Sequence, residues 1–124
     1  MPSAETLERF IARVESNEHD AAIAEFYMED GSIQENQSPP RVGRDALVAG
    51  ERKTMSRAAR ITSTCIRPVF VNGDHAVVRW VFRFEWRDGT VTTMEEVAMQ
   101  RWQGERIAAE QFFYDPAQRV PKPR

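Results

Sequence analysis

The chain has 124 residues, 41% hydrophobic and 29% charged, which fits one domain with a real core and excludes two of ordinary size. A net charge of −2, with scattered arginines and no like-charge block, excludes a whole-chain nucleic-acid footprint. A single cysteine, Cys65, excludes an internal disulfide, and no apolar run approaches the roughly 18 residues of a membrane span.

Residues 1–5 carry neither a basic nor an apolar leader region, so the expected compartment is the cytoplasm. Ser3 then reads as an N-cap, with Glu5 suited to the positive end of a helix dipole. Leu7, Phe10, Ile11 and Val14 recur at i, i+3, i+4 and i+7, an apolar stripe on one helical face. Ser16-Asn17-Glu18-His19 breaks this helix. Asp20 is expected to cap a second, shorter one carrying Ile23, Phe26 and Tyr27, which Asp30-Gly31 would stop.

Ser32 to Glu35 reads as a short strand, and Gln37-Ser38-Pro39-Pro40 as an exposed loop, since prolines cannot continue a ladder. A third helix is expected after Gly43, through Leu47, Val48 and Met55, with Gly50 weakening its continuity. From Ile61 the period changes to two. Ile61 to Val71 is rich in β-branched residues, Cys65 reads there as a small buried hydrophobe, and Pro68 marks an edge or bulge. Asn72-Gly73 is the strongest hairpin signal in the chain.

His75 to Arg87 alternates, with Val78, Trp80, Phe82, Phe84 and Trp86 on one face and Arg79, Arg83, Glu85 and Arg87 on the other. Asp88-Gly89 is a second tight turn. Thr90 to Gln103 and Arg106 to Tyr114 follow as strands joined near Gly104, and Asp115-Pro116 ends the sheet. The expected architecture is α+β: N-terminal helices packed on a strongly curved antiparallel sheet around an internal pocket. Its boundaries are 1–116, with 117–124 a flexible tail.

That order, with particular residues in it, resembles the nuclear transport factor 2-like superfamily, in its SnoaL-like and ketosteroid isomerase-like branch. The residues that carry the resemblance are Arg9-Phe10-Ile11, Ile23-Ala24-Glu25-Phe26-Tyr27, Asp30-Gly31-Ser32-Ile33, Arg41-Val42-Gly43-Arg44-Asp45-Ala46-Leu47 and Phe112-Phe113-Tyr114-Asp115-Pro116. The resemblance implies a cone-shaped α+β barrel. It does not imply one function, because the superfamily hosts many chemistries and non-catalytic members.

Three carboxylates are candidate catalytic groups. Glu35 shares a strand face with Ile33, and its position is similar to that of the isomerase's base; otherwise it is a solvated residue at a loop. Periodicity alone does not choose a face for Thr90 to Gln103; the resemblance puts Met94, Glu96, Ala98, Gln100 and Trp102 inward. Glu96 and Gln100 then either serve a ligand or satisfy a structural hydrogen bond or ion pair. A three-residue loop at Gln103-Gly104-Glu105 would place Glu110 opposite Ala98, and a two-residue loop would turn it outward. The resemblance favours Glu110, Phe112 and Tyr114 inward. Phe10, Val14, Tyr27, Trp80 and Phe82 complete the expected ligand-binding set, with Ala98, Gln100, Phe112 and Tyr114.

The isomerase's two oxyanion donors correspond here to Phe10 and Ala98, so steroid isomerisation by that route is not expected. His19 and His75 read as surface residues, and no metal or cofactor is expected. The expected function is a pocket for a small apolar organic molecule with cofactor-free acid–base chemistry of cyclase, isomerase or dehydratase type. The alternative is a non-catalytic binding or interaction module. A homodimer is expected through the convex sheet face, carrying Val97, Met99, Ile107 and Phe113; neither nucleic acid nor membrane is an expected partner.

Overall fold

The computed structural model describes residues 1–124. Helix α1 spans Ala4–Glu15, with the Ser3 hydroxyl accepting from the Thr6 amide at 3.1 Å, and it buries Leu7, Phe10, Ile11 and Val14. Helix α2 spans His19–Phe26 and has no side-chain cap; Asp20 lies in its first turn and pairs with Arg52 at 3.2 Å. Helix α2 stops before Tyr27, earlier than expected. Tyr27 is already extended and opens strand β1, Tyr27–Glu35. A residue buried at i+4 from Ile23 satisfies the helical period as well as a strand start, and the pattern alone does not separate them.

Asp30-Gly31 is therefore inside a strand rather than at a helix end. Gly31 lies where the β1 register shifts between Tyr27 and Ser32, and a Cβ there would meet the Met28 carbonyl oxygen at 2.9 Å. Glycine is what allows the bulged chain to pass so close. After the two-residue strand β2, Arg41–Val42, helix α3 runs unbroken over Arg44–Arg57 through Gly50, burying Leu47 and Val48.

Four long strands follow: β3 Ala58–Asn72, β4 His75–Trp86, β5 Thr90–Gln103 and β6 Arg106–Phe113. The sheet order is β2-β1-β6-β5-β4-β3. The sheet is mixed rather than wholly antiparallel, because β1 runs parallel to β6. Its curvature has local causes. The β3 register shifts between Ala58 and Arg60 and again across Pro68, and a further shift lies between β5 and β6. Three helices cover the concave face, and no helix is long and apolar enough to cross a membrane.

The β5–β6 hairpin has the two-residue loop that should have turned Glu110 outward, since Gln103 pairs with Arg106. The face is restored by a bulge. Trp102 pairs with Ile107 but Arg101 pairs with Ala109, so Ala108 is extra and Glu110 comes back inward, opposite Gln100 rather than Ala98. The two-residue loop itself, which pairs Ile107 with the inward Trp102, leaves Ile107 wholly buried on the concave side, not on the convex face as expected, where Val97 and Met99 are 37% and 44% exposed.

The segment expected as a flexible tail is laid back on the sheet instead. Strand β5 extends beyond the end of β6, leaving an uncovered edge. A 3₁₀ turn, Pro116–Arg119, and strand β7, Lys122–Pro123, cover that edge: β7 pairs with Thr90 and Val91, and the Gln118 side-chain oxygen accepts from the Glu95 amide at 2.8 Å.

Candidate functional site

Between the helices and the concave face lies a cavity of about 770 Å³. Helix α1 contributes Phe10 and Val14, α2 contributes His19 and Ile23, and β1 contributes Tyr27, Ile33 and Glu35. Strand β4 supplies an aromatic ladder because alternation puts Trp80, Phe82, Phe84 and Trp86 on one face. Trp80 stacks on Phe82 with centroids 5.3 Å apart, and Phe84 stacks on Trp86 at 5.1 Å. The Trp86 indole N–H donates to the Thr92 hydroxyl at 2.8 Å, which fixes the outer end of the ladder.

The floor is a closed polar chain. The Trp102 indole N–H donates to Gln100 Oε1 at 2.9 Å, and Gln100 Nε2 donates to Glu110 Oε2 at 2.7 Å. The Tyr27 hydroxyl donates to Glu110 Oε1. All four residues are at most 3% exposed. Burial pushes the Glu110 carboxyl up, opposed by its two donors, while burial and then the adjoining Glu110 charge push Tyr27 well above the usual phenol range. Each polar atom in the chain has a partner, as buried polar groups require.

The walls hold the opposite arrangement. Glu96 sits on β5 directly opposite Trp80 of β4, so the carboxyl stands beside the indole. It makes no hydrogen bond or ion pair, and burial, then the charges of Glu35, Glu110 and Glu51, push it up to about 8 against a small opposing effect of Arg119. Glu51 reaches the same space from α3 and is likewise unpartnered; burial pushes it up to about 7, opposed by Arg41. Glu35, at the mouth, is tied down. Its Oε1 accepts from the Tyr114 hydroxyl at 2.8 Å, and Arg41 and Arg119 approach it at 3.3 and 3.6 Å.

Of the residues expected in the site, Glu35, Glu96, Glu110, Phe10, Val14, Tyr27, Trp80, Phe82 and Phe112 line the cavity. Ala98 and Gln100 are wholly buried without lining it, and Tyr114 stands outside the wall, with its hydroxyl on Glu35. His19 corrects an expectation. It is not a surface residue but a wall residue: its Nε2 is 2.7 Å from the Ser63 hydroxyl, and its ring lies edge-on to Phe82 at 5.2 Å. Burial lowers its pKa to about 4, so the ring is neutral at physiological pH. Glu51 was missed altogether, although it falls on the stripe set by Leu47 and Val48 at i+4 and i+3, which buries one face of α3. The walls are thus more polar than an apolar pocket, and no three His, Cys, Asp or Glu side chains are placed to hold one metal ion.

A family model described as SnoaL-like domain matches residues 7–110. No curated protein matches the chain in sequence. Among solved structures, a protein with a ketosteroid isomerase-like fold from Catenulispora acidiphila, in complex with trimethylamine, is 17% identical, with 94% of this chain and 89% of that chain covered and a TM-score of 0.76. A protein from Mesorhizobium loti described as a SnoaL-like polyketide cyclase is 21% identical over 92% of this chain and 100% of that one, with a TM-score of 0.75. An epoxide hydrolase from M. tuberculosis is 11% identical over 92% and 83%, with a TM-score of 0.75. At these identities the likeness is one of fold.

Proposed function

The chain belongs to the SnoaL-like domain family, and from that premise we propose that it is a cofactor-free acid–base enzyme acting on a small organic molecule held in the cavity. The observation that carries the reading is Glu96: a carboxyl in an aromatic recess, facing open volume, with no cation or donor holding it. A structural carboxylate would be paired, as Glu35 and Glu110 are. A pKa raised to about 8 makes Glu96 a carboxylic acid through neutral pH, able to give a proton to a developing oxyanion or amine. Glu51, at about 7, is ionised over part of the same range and can take a proton from carbon. The two titrate as a coupled pair, and a pair whose members sit apart in pKa divides naturally into acid and base.

The reaction class that fits is proton transfer next to a carbonyl or hydroxyl, as in cyclisation, isomerisation or dehydration. Phe10 and Ala98 offer no hydrogen-bond donor, so an enolate oxygen would take its stabilising proton from Glu96 rather than from a pre-set donor pair. The test uses small ketones and enones in D₂O, with exchange of the proton next to the carbonyl followed by NMR. At least one compound should exchange faster with the protein than in buffer. Glu96→Gln and Glu51→Gln should each lower that acceleration by about 10²-fold, the usual worth of a placed acid or base. Acceleration by no compound, or rates within a few-fold of wild type in both variants, would overturn the reading.

A further inference from the structure

The walls of the cavity combine two features that serve one kind of ligand. Trp80 and Phe82 form a stacked aromatic wall, and Phe112 of β6 lies across from it, beyond Ala98. The negative faces of such rings attract cations, and several rings around one space form the cage that recognises substituted ammonium groups. Into the same space point Glu96, beside Trp80, and Glu51, from the helix above. Both carboxyls are unpartnered, and the Glu51 carboxyl is deeply withdrawn from water.

No protein cation fills this space. Arg41 and Arg119 both close on Glu35 at the mouth, Arg57 lies over Trp86 with its guanidinium carbon 5.7 Å from the ring centre, and Arg87 donates from Nε to the Ser56 carbonyl at 3.0 Å. An anionic ligand would meet Glu51, Glu96 and Glu110 in a low-dielectric recess and be repelled. A neutral apolar ligand would leave the two open carboxyls as they are, and a neutral polar one can hydrogen-bond to them but cannot balance a charge. A cation balances the charge and uses the ring faces as well.

We propose that the substrate or ligand is a small organic amine in its ammonium form, with its charge between Glu51 and Glu96 and its apolar body on Trp80, Phe82 and Phe112. This names the substrate class of the acid–base site proposed above and rests on that reading. It also predicts proton release on binding, because a nearby cation favours the ionised carboxyl, and Glu51, which holds its proton less tightly, releases it first while Glu96 keeps its acid role. The other charged and titratable groups around them are Tyr27, Glu35 and Arg41 on β1 and β2, His19 and Asp20 on α2, Arg57 at the end of α3, Arg87 and Asp88 after β4, Glu110 on β6 and Arg119 after the last long strand. Glu110 is held by its donors, Tyr27 and Gln100, so the proton exchange falls to the two open carboxyls, Glu51 first.

The test compares benzyltrimethylammonium, a cation at every pH, with its neutral carbon isostere neopentylbenzene and with phenylacetate. Binding is read from quenching of tryptophan fluorescence, since Trp80 and Trp86 both line the cavity. The cation should bind at least tenfold tighter than the isostere at pH 8, and its affinity should rise from pH 6 to pH 9 while the isostere's stays level. Phenylacetate should not compete. Glu51→Gln and Glu96→Gln should each weaken the cation about tenfold and leave the isostere unchanged. An isostere that binds as tightly as the cation, or phenylacetate that competes with either, overturns the ammonium proposal. If the Glu96-dependent proton exchange then persists, the acid–base reading still stands. If neither the cation nor the isostere binds and no exchange occurs, both fall.

Discussion

Glu110 and Glu96 lie on adjacent strands, face the same cavity, and have carboxyls that burial pushes upward. They differ in what surrounds them. Glu110 accepts from Tyr27 and from Gln100, which is in turn held by Trp102, so the group is built into the floor. Glu96 has an indole beside it, other carboxyls in front of it, and no donor. Burial raises a carboxyl in either place, so burial alone does not mark a working group. The absence of a partner does, because a protein has no structural reason to keep a desolvated carboxyl unsatisfied.

The largest effect should follow from breaking the closed cluster. Glu110→Ala leaves the Gln100 amide and the Tyr27 hydroxyl buried without their acceptor and opens a void beside them. Each orphaned group costs roughly 1–3 kcal/mol, so a loss of about 3 kcal/mol or more in urea unfolding at pH 6 is expected. A loss under about 1 kcal/mol would mean that water already solvates Glu110, and the contrast with Glu96 would fail.

The open cluster should respond with the opposite sign. The folded pKa of Glu96, about 8, lies above its value in the unfolded chain, so the folded state holds a proton that the unfolded state has released. The stability this gives is fully present below about pH 4.5 and is lost as pH rises through about 8; Glu51 behaves alike, losing its contribution through about 7. Glu96→Gln removes the titration. The variant should match wild type near pH 4 and be more stable at pH 9 by on the order of 1–2 kcal/mol, allowing for water in the cavity. Thermal melts at the two pH values measure this. Equal stability of the two proteins at pH 9 would place Glu96 in ordinary solvent.

Much of the fold was legible because the patterns were local. The α1 stripe, the β4 alternation and the Asn72-Gly73 turn each fix an element from a few neighbouring residues. What escaped was set at longer range. The parallel β1–β6 pairing joins residues about eighty positions apart, and the bulge that returns Glu110 to the cavity falls at Ala108-Ala109, two alanines that carry no signal. In the site, the aromatic wall and the inward carboxyls of β5 and β6 were anticipated, partly through family resemblance. Glu51 and His19 were not, because a charged residue on a helix stripe and a histidine at a helix start both look solvated until a sheet closes over them. The return of the tail over the β5 edge depends on β6 being shorter than β5, which no local pattern states.

The smallest effect should come from the tail, and it separates the two clusters most finely. Arg119 approaches Glu35 at 3.6 Å and lies on the cavity wall, where its charge lowers the pKa of Glu96 slightly. The shift of Glu110 is set by burial and by its donors Tyr27 and Gln100, with no contribution from the same arginine. Removing it should therefore act on one carboxyl and not on the other. Arg119→Gln keeps a polar side chain of similar reach but removes the charge. Carbon-13 NMR titration of the glutamate carboxyls should show Glu96 moving a few tenths of a pH unit higher, because a nearby positive charge favours the ionised form and its loss favours the proton. Glu110 should not move. A common shift of both would mean that the floor and the wall share one electrostatic environment, so that the division between a structural and a working carboxyl does not hold. If neither moves, solvent screens Arg119 from the cavity, and the covered β5 edge is then a matter of stability only.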